Sequence, residues 1–236
     1  LARYADEIYL QFEDTHDYFK HTKARLKTTG CPLRKSFLSP EPERIFDELS
    51  LDPDKKTLLI TGASSGAKSI NEAVGAILNK LNEFAETWQI IHLTGRANLH
   101  DVMESYHGAK IDHHLLDYSD EIQNLFAAAD LVIGRAGAVS IAEFAAAGKP
   151  VICMPYPYHK DNHQYMNAAG LCESGAAVIV DDTPSTPEKT SRALLAKLKE
   201  LMCDENKLNK MKEAANLERK ENAALLIAKH LVPDSS

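Results

Sequence analysis

The sequence lacks the features that mark several classes of protein. Its 236 residues hold no uninterrupted apolar run near the ~20 residues that a membrane-spanning helix needs. A basic excess is also missing, since the formal net charge is -7, and this argues against a dedicated nucleic-acid-binding protein. The composition is 44% hydrophobic and 26% charged, which excludes collagen-like and wholly disordered chains. We therefore expect a globular protein of one large domain or two small ones.

Patterns typical of metal sites are weak as well. The four cysteines form no CxxC pair and stand far apart, at Cys31, Cys153, Cys172 and Cys203. Such scatter is typical of a reducing compartment, where a buried cysteine serves as a small apolar residue. His159 and His163 are spaced as in an HExxH zinc motif, but Lys160 stands where that motif needs glutamate. We expect neither a metal nor a cofactor.

The first ~50 residues differ from the rest of the chain. The segment DEIYLQFED alternates as a strand does, and a polar, lysine-rich stretch follows it. Gly30, Pro32, Pro40 and Pro42 then predict a loop or linker.

From Lys56 onward, short apolar strands alternate with amphipathic helices. Strands are predicted at 57–61, 88–94, 110–116, 130–134, 149–155 and 176–180, and a helical tail at about 187–231. Continuous apolar strands separated by helices form parallel sheets with both faces covered, so the predicted fold class is α/β. Ligands of such sheets lie where the carboxyl ends of strands meet helix N-termini. The loops at those ends are 61–69, 94–97, 116–120, 134–140 and 155–164.

One motif suggests a dehydrogenase. TGASSG, after the first of these strands, resembles the opening of short-chain dehydrogenases, and Tyr106 and Lys110 supply a Tyr-x-x-x-Lys pair. However, the bulky Lys68 stands where that family has a glycine, and no acidic residue follows the next strand to bind ribose hydroxyls. The Tyr–Lys pair also comes only one strand–helix unit later, too early for that active site. We reject this function.

Two glycine-bearing turns are candidate phosphate sites. A turn from strand into helix points backbone N–H groups and a helix dipole at an anion. Gly62 and Gly66 allow such a turn after the first strand, and Ser64 and Ser65 offer hydroxyl donors. The alternative is a turn that is merely tight.

The second turn lies around Gly137, after the predicted strand that ends at Gly134. The helix after it begins with small residues that would let a ligand approach its backbone, among them Ala138, Ser140 and Ala142. Glu143 could accept hydrogen bonds from two vicinal ribose hydroxyls. An acidic residue near a helix start is also common for its interaction with the dipole, so both interpretations stay open.

Six segments of the chain, in this order, carry a family resemblance: TGCPLR, TGASSGAKSIN, IIHLTGR, DYSDEI, RAGAVSIAE and HKDNHQYMNA. They resemble motifs of the MurG family of bacterial transferases, which add N-acetylglucosamine to a lipid-linked muramyl-peptide. The corresponding motifs of the family are GNPVR, GGSQGA…N, HQTGK, the FIDDM turn, RSGALTVSE and HKDRQQYWNA. The resemblance covers most of the chain. It implies the Rossmann-like C-terminal domain of a GT-B glycosyltransferase, which binds UDP-N-acetylglucosamine.

The resemblance also implies roles for the matched residues. Arg34 would approach the nucleotide, Ser64 would approach the phosphates, and the main chain at Ser119 would read uracil. Glu143 would bind the ribose and Gln164 the sugar hydroxyls. The residues that would line the diphosphate are Ala138, Val139, Ser140, Ile141 and Ala142, with Gly62, Gly66, Gly137 and His163 as possible additions.

The sequence departs from the family at several of these positions. Ala63 and Ser65 replace a glycine and a glutamine in the first loop. Ser119 replaces an isoleucine, Ala142 a serine, and His163 the first glutamine of the sugar-facing pair. These changes leave the identity of the donor sugar open.

The family's N-terminal acceptor domain carries a GGTGGH loop that has no counterpart here. The resemblance therefore assigns residues 1–30 to the end of that domain, 31–55 to a linker, and 56–236 to the nucleotide-sugar domain with its helical tail. We expect no catalytic residue in this chain, because the catalytic base would belong to the missing domain. The chain alone should be inactive.

For the whole enzyme, the resemblance implies an inverting hexosyltransferase of peptidoglycan synthesis, a process that supports cell shape and division. Its partners would be UDP-N-acetylglucosamine and, through the missing domain, an undecaprenyl-pyrophosphoryl-muramyl-peptide. It would be cytoplasmic, with peripheral membrane contact at the inner membrane. The alternatives are another UDP-sugar transferase of the GT-B fold, a nucleotide-sugar hydrolase, or a separate donor-binding subunit that needs an acceptor-domain partner.

Overall fold

The computed structural model describes residues 2–62, 66–158, 161–219 and 222–232. These residues form two compact units. The smaller unit contains the described residues up to Ser39 together with 222–232, and the larger unit contains those between Pro40 and Arg219.

The larger unit is built on a parallel sheet. In its described residues six strands pair in the order β5-β4-β3-β6-β7-β8. The strands are β3 (Lys56–Thr61), β4 (Trp88–Leu93), β5 (Asp112–Leu116), β6 (Leu131–Gly134), β7 (Val151–Cys153) and β8 (Ala177–Ile179). The central strands are buried and mostly apolar because helices cover both faces of the sheet, which confirms the predicted α/β class.

The helices alternate with these strands as the sequence predicts. Those of the larger unit are α1 (Pro42–Glu48), α2 (Lys68–Gly75), α3 (Leu78–Leu81), α4 (Leu99–Ser105), α5 (Ile122–Ala128), α6 (Ala138–Ala147), α7 (His163–Glu173), α8 (Pro187–Cys203) and α9 (Glu205–Leu217). Short 3-10 turns are at Asn82–Phe84 and Arg96–Asn98. None of the helices within the described ranges is long and apolar enough to cross a membrane.

The strand order reverses between β3 and β6. The chain leaves β3 for β4 and β5 on one side, and then returns to place β6 on the other side of β3. Thr61 pairs with Gly134 at the carboxyl ends of the two strands. A side chain at Gly134 would not fit, because a Cβ there would lie 2.7 Å from Cζ of Phe144. In parallel α/β sheets, ligands bind in the crevice that opens at such a reversal.

The smaller unit holds two parallel strands, β1 (Glu7–Leu10) and β2 (Arg25–Thr28), and helix α10 (Ala223–Leu231). Its 3-10 turns are at Ala2–Tyr4, Glu13–Phe19 and Lys35–Leu38. Helix α10 packs within this unit: the ring of His230 stacks on Tyr9 with centroids 6.2 Å apart, and Asn222 Nδ2 donates to the Leu33 carbonyl at 3.4 Å.

One segment differs in structure from the sequence expectation. The stretch predicted as linker contains α1, which packs on α5 because Asn124 accepts a hydrogen bond from the Glu41 N–H at 2.8 Å and Arg44 pairs with Glu121 at 3.0 Å. The tail is helical as predicted and is divided into three helices, with Asp204 capping α9 by accepting from the Lys207 N–H at 3.0 Å. The functional division at residues 30 and 55 stays a prediction.

Candidate functional site

A cavity of about 930 Å³ opens at the carboxyl ends of the strands in the larger unit. It lies beside the strand-order reversal and is bounded by the loops that follow β3, β6, β7 and β8 and by the starts of α2 and α8. Its volume is within the range of sites for nucleotides and other small ligands.

The first wall of the cavity is the loop after β3, which contributes Gly62 and Gly66. Gly66 has a φ of +73°, and a Cβ on it would lie 2.2 Å from the Thr94 carbonyl oxygen. A Cβ on Gly62 would lie 2.0 Å from the Ala67 nitrogen. Only glycine fits at either position, because the turn packs closely against its own backbone and against the loop after β4. Helix α2 then begins after Ala67, whose side chain has no atom that could cap the N–H groups of the first turn.

Gly137 and Ser140 form a second wall. Gly137 is the N-cap of α6, and it also offers no side chain to cap the helix. Its carbonyl accepts the Ile141 N–H at 2.9 Å, so the hydrogen-bond ladder of the helix begins here. The start of α6, like that of α2, therefore presents N–H groups and the positive end of a helix dipole at the cavity.

The loop after β7 and the first turn of α7 supply the third wall through Tyr156, Tyr158 and Gln164. The Gln164 Oε1 atom accepts the Tyr156 N–H at 2.8 Å, which leaves the amide NH₂ of Gln164 as its donor group. Nearby, the His163 Nδ1 atom lies 2.6 Å from the Asp161 carboxylate, and Asn162 has a φ of +51°. A residue other than glycine in that conformation marks a strained turn at the start of α7.

A buried polar network supports the first wall from behind. The two ring nitrogens of His92 lie 3.0 Å from the Tyr106 hydroxyl and 3.0 Å from Asn71 Oδ1. Asn71 Nδ2 donates in turn to the Thr94 carbonyl at 3.0 Å, the atom against which Gly66 packs. Burial lowers the pKa of His92 from 6.5 to about 3, so the imidazole is neutral at physiological pH. Tyr106 is thus a structural partner of His92.

The structure brings several of the predicted site residues together in the cavity. Those that line it are Gly62, Gly66, Gly137, Ser140 and Gln164. Ala138, Val139, Ala142 and Glu143 belong to α6 but not to the lining, and His163 begins α7. Ile141 also belongs to α6, but its side chain is buried in the core and is 5% exposed.

Three other predicted residues do not lie in the lining of the cavity or lie outside the described residues. Ser119 is in the loop after β5, where its Oγ accepts the Glu121 N–H at 3.1 Å. Arg34 is exposed and belongs to the smaller unit. Ser64, like His159, lies outside the described residues. In the parts of the chain that are described, no group of three or more His, Cys, Asp or Glu side chains could hold a metal ion.

The sequence analysis missed Ser69, Arg135 and Asp182, which line the cavity and contact one another. Arg135 stands inside a segment that carries the family resemblance, directly after the buried strand β6. A charged residue directly after a buried strand could have indicated a residue of the site at the carboxyl end of the sheet. Asp182 gave no such signal, because only the fold brings it to Arg135.

Comparison with known proteins agrees with this geometry. The family described as glycosyltransferase family 28 C-terminal domain matches residues 57–229. A UDP-N-acetylglucosamine–N-acetylmuramyl-(pentapeptide) pyrophosphoryl-undecaprenol N-acetylglucosamine transferase of Desulforamulus reducens is 36% identical over 221 residues, which are 91% of this chain and 58% of the relative. The enzyme of the same name from Chlorobaculum tepidum is 36% identical over 98% of this chain and 61% of its own length. The chain thus spans about three fifths of these relatives.

Solved structures show the same fold. MurG of Acinetobacter baumannii superposes with a TM-score of 0.67 at 28% identity, covering 89% of this chain and 56% of that one. WaaG, a glycosyltransferase involved in lipopolysaccharide biosynthesis, superposes at 0.59 with 15% identity, over 96% of this chain and 62% of WaaG, and this likeness shows the fold alone. The sheet with its two sets of helices is therefore the C-terminal Rossmann-like domain of the GT-B fold, and the chain belongs to glycosyltransferase family 28.

Proposed function

We propose that this chain is the UDP-N-acetylglucosamine-binding half of an inverting N-acetylglucosaminyltransferase that glycosylates a lipid-linked muramyl-peptide. The names of the relatives supply this chemistry: both of those described above transfer N-acetylglucosamine to a pyrophosphoryl-undecaprenol-linked muramyl-pentapeptide. The whole enzyme would act at the cytoplasmic face of the inner membrane, with membrane and acceptor contacts made by a domain outside this chain.

One observation carries the proposal. The starts of α2 and α6, whose N-cap residues Ala67 and Gly137 have no side chain that could cap a helix, border the same cavity at the point where the strand order reverses. Two helix N-termini around one cavity suit a doubly charged diphosphate, because each adds N–H donors and a positive partial charge. Gly62 and Gly66 line the cavity and have no side chain that would hold such a ligand away from their backbone.

The same arrangement suits transfer by direct displacement. As the acceptor hydroxyl attacks the anomeric carbon, negative charge develops on the departing UDP. Backbone N–H groups held in place by the two helices would stabilise that charge without having to reorient during the reaction. The base that removes the acceptor's proton is expected in the acceptor domain.

The remaining roles follow from the matched motifs. We propose that Glu143 binds the ribose hydroxyls, Gln164 the sugar, Ser64 the phosphates and the main chain at Ser119 the uracil, with Arg34 approaching the nucleotide. Gln164 is suited to its role, since its Oε1 atom is engaged by the Tyr156 N–H and its NH₂ group can donate to a sugar hydroxyl. Glu143 lies half-buried in the second turn of α6, beyond the first turn that borders the cavity.

UDP binding to the chain tests this proposal. UDP and UDP-N-acetylglucosamine should raise its melting temperature, and Glu143→Ala should weaken UDP binding by ~10- to 100-fold, because lost hydrogen bonds to a charged group cost about 1.5–3 kcal/mol. Calorimetric titration measures the affinity. Glu213→Ala, which removes an exposed carboxylate from α9, is the matched control and should bind UDP as the wild type does.

Three results would contradict parts of the proposal. Unchanged UDP binding by Glu143→Ala would remove the ribose assignment. NADH binding tighter than UDP would restore the dehydrogenase interpretation. Transfer of sugar to a lipid acceptor by this chain alone would show that the base lies within these residues.

A further inference from the structure

Arg135 connects the loops at the carboxyl end of the sheet. It follows β6 directly and is 8% exposed. Its Nη1 atom donates to the carbonyl oxygens of Met154 at 2.9 Å and Pro155 at 3.2 Å, which fixes the loop after β7. Its guanidinium carbon lies 5.6 Å from the centroid of the Tyr156 ring, within the range of a cation–π contact.

The same guanidinium forms a closed triangle with two further side chains. Nη1 lies 2.8 Å from Asp182 Oδ2, and Nη2 donates to Ser69 Oγ at 2.6 Å. The Ser69 hydroxyl donates in turn to Asp182 Oδ2 at 2.6 Å. Because the Arg135 and Asp182 side chains are only 10% and 3% exposed, solvent does not screen this pair. We call these three residues the loop clamp.

The loop clamp joins the loops that border the cavity. Ser69 is in the first turn of α2, Arg135 stands two residues before Gly137, the N-cap of α6, and Asp182 follows β8. The Pro155 carbonyl held by Arg135 directly precedes Tyr156, whose N–H is bound by Gln164. The distances between the two helix N-termini and Gln164 therefore depend on the loop clamp.

The charge of Arg135 is matched by Asp182, so the cavity does not gain a free cation from it. A buried ion pair is weak support for stability, because desolvation offsets much of its attraction. Its effect on geometry is more direct, since the guanidinium and carboxylate fix several partners in one arrangement.

We propose that Arg135, Ser69 and Asp182 are positioning residues that hold the two helix N-termini at the spacing a diphosphate needs, while Arg135 itself makes no contact with the phosphates. The inference rests on the proposed function, and it adds a cause for the geometry of the site. The inference distinguishes two roles for Arg135. If Arg135 bound the phosphates, removal of the Asp182 charge would strengthen UDP binding. If Arg135 is a positioning residue, the same change weakens UDP binding.

The test compares the binding of UDP and of uridine to the 236-residue chain by calorimetric titration. Asp182→Asn should weaken UDP binding by about tenfold, since the carboxylate hydrogen bonds that set the loops are lost. Uridine, which has no phosphates, should bind within about twofold of the wild type. Ser69→Ala, which breaks only the link to α2, should lower UDP affinity by about threefold in the same selective way.

Asp181→Asn is the matched control. Asp181 is the neighbouring carboxylate, is exposed, and accepts a hydrogen bond from the Tyr165 hydroxyl at 3.0 Å instead of pairing with Arg135. The control should bind UDP as the wild type does. Asp182→Glu should restore part of the affinity that Asp182→Asn loses, because it restores the charge. That rescue, together with the UDP-to-uridine ratio, distinguishes positioning from a general loss of stability.

Each other outcome has a definite meaning. If Asp182→Asn or Ser69→Ala binds UDP as tightly as the wild type or more tightly, the loop clamp does not position the diphosphate site. Equal losses for UDP and uridine would mean a general structural role and would also overturn the inference. If the wild-type chain binds neither compound, the proposed function itself fails.

Discussion

The buried histidine behind the first wall of the cavity makes the stability of the larger unit depend on pH. Burial lowers the pKa of His92 from 6.5 to about 3, and its two ring nitrogens are hydrogen-bonded to Tyr106 and Asn71. The unfolded chain takes up a proton on this residue as the pH falls through 6.5, and the folded chain does not. The unfolded state then binds more protons, so acidification destabilises the folded state.

The size of the effect follows from the two pKa values. Between pH ~7.5 and pH ~5, one histidine with this pKa difference removes about 2 kcal/mol from the free energy of unfolding. At the pKa of the folded state, near pH 3, the loss grows to about 4 kcal/mol, because each pH unit between the two pKa values contributes at most about 1.36 kcal/mol. The narrower range is preferable, because most carboxylates keep their charge there.

His92→Gln is the perturbation that isolates this contribution. Glutamine keeps a donor and an acceptor but does not titrate. Over the same pH range, the free energy of unfolding of the variant should therefore fall by about 2 kcal/mol less than that of the wild type. Urea unfolding at each pH gives this quantity, and the fluorescence of Trp88, the one tryptophan of the chain, reports on the larger unit from within β4.

His100→Gln is the control. This histidine is exposed on α4, with a side chain 84% accessible, so its replacement should leave the wild-type pH dependence unchanged. If the wild type and His92→Gln lose stability in parallel, within ~0.5 kcal/mol, then His92 is not a neutral buried residue and the network behind the cavity is not as described.

Two further predictions concern the backbone. Gly66→Ala should lower the free energy of unfolding by about 2 kcal/mol or more, because it adds both positive-φ strain and a clash with the Thr94 carbonyl. Gly108→Ala should lower it by about 1 kcal/mol, because the φ of Gly108, +81°, is similar but nothing lies within 4 Å of the added carbon. Urea titration of both variants measures the difference, and equal costs would refute the close approach at Gly66. Asp204→Ala should destabilise the larger unit by about 1 kcal/mol through loss of the α9 cap, with Asp204→Asn, which can still accept from the Lys207 N–H, as its control. An equal loss in both variants would argue against the cap.

Local sequence patterns predicted most of the fold. The alternation of apolar strands and helices predicted each strand of the parallel sheet, because a strand covered on both faces is apolar over most of its length. The start of α6 was also predicted correctly, since the turn at Gly137 directly precedes the helix. The pattern failed at α1, where the prolines suggested a linker but one of them, Pro42, serves as the first residue of a helix.

The sequence by itself determined the family, the class of fold and the two glycine turns, because these depend on residues close together in the chain. Only the tertiary structure decided that both turns border one cavity, since that depends on the pairing of β3 with β6, whose paired residues are 73 positions apart in the chain. It alone joined Ser69, Arg135 and Asp182, whose contacts cross 66 and 113 positions. It also made His92 a neutral support, because burial, which the sequence does not show, lowers the pKa of the imidazole.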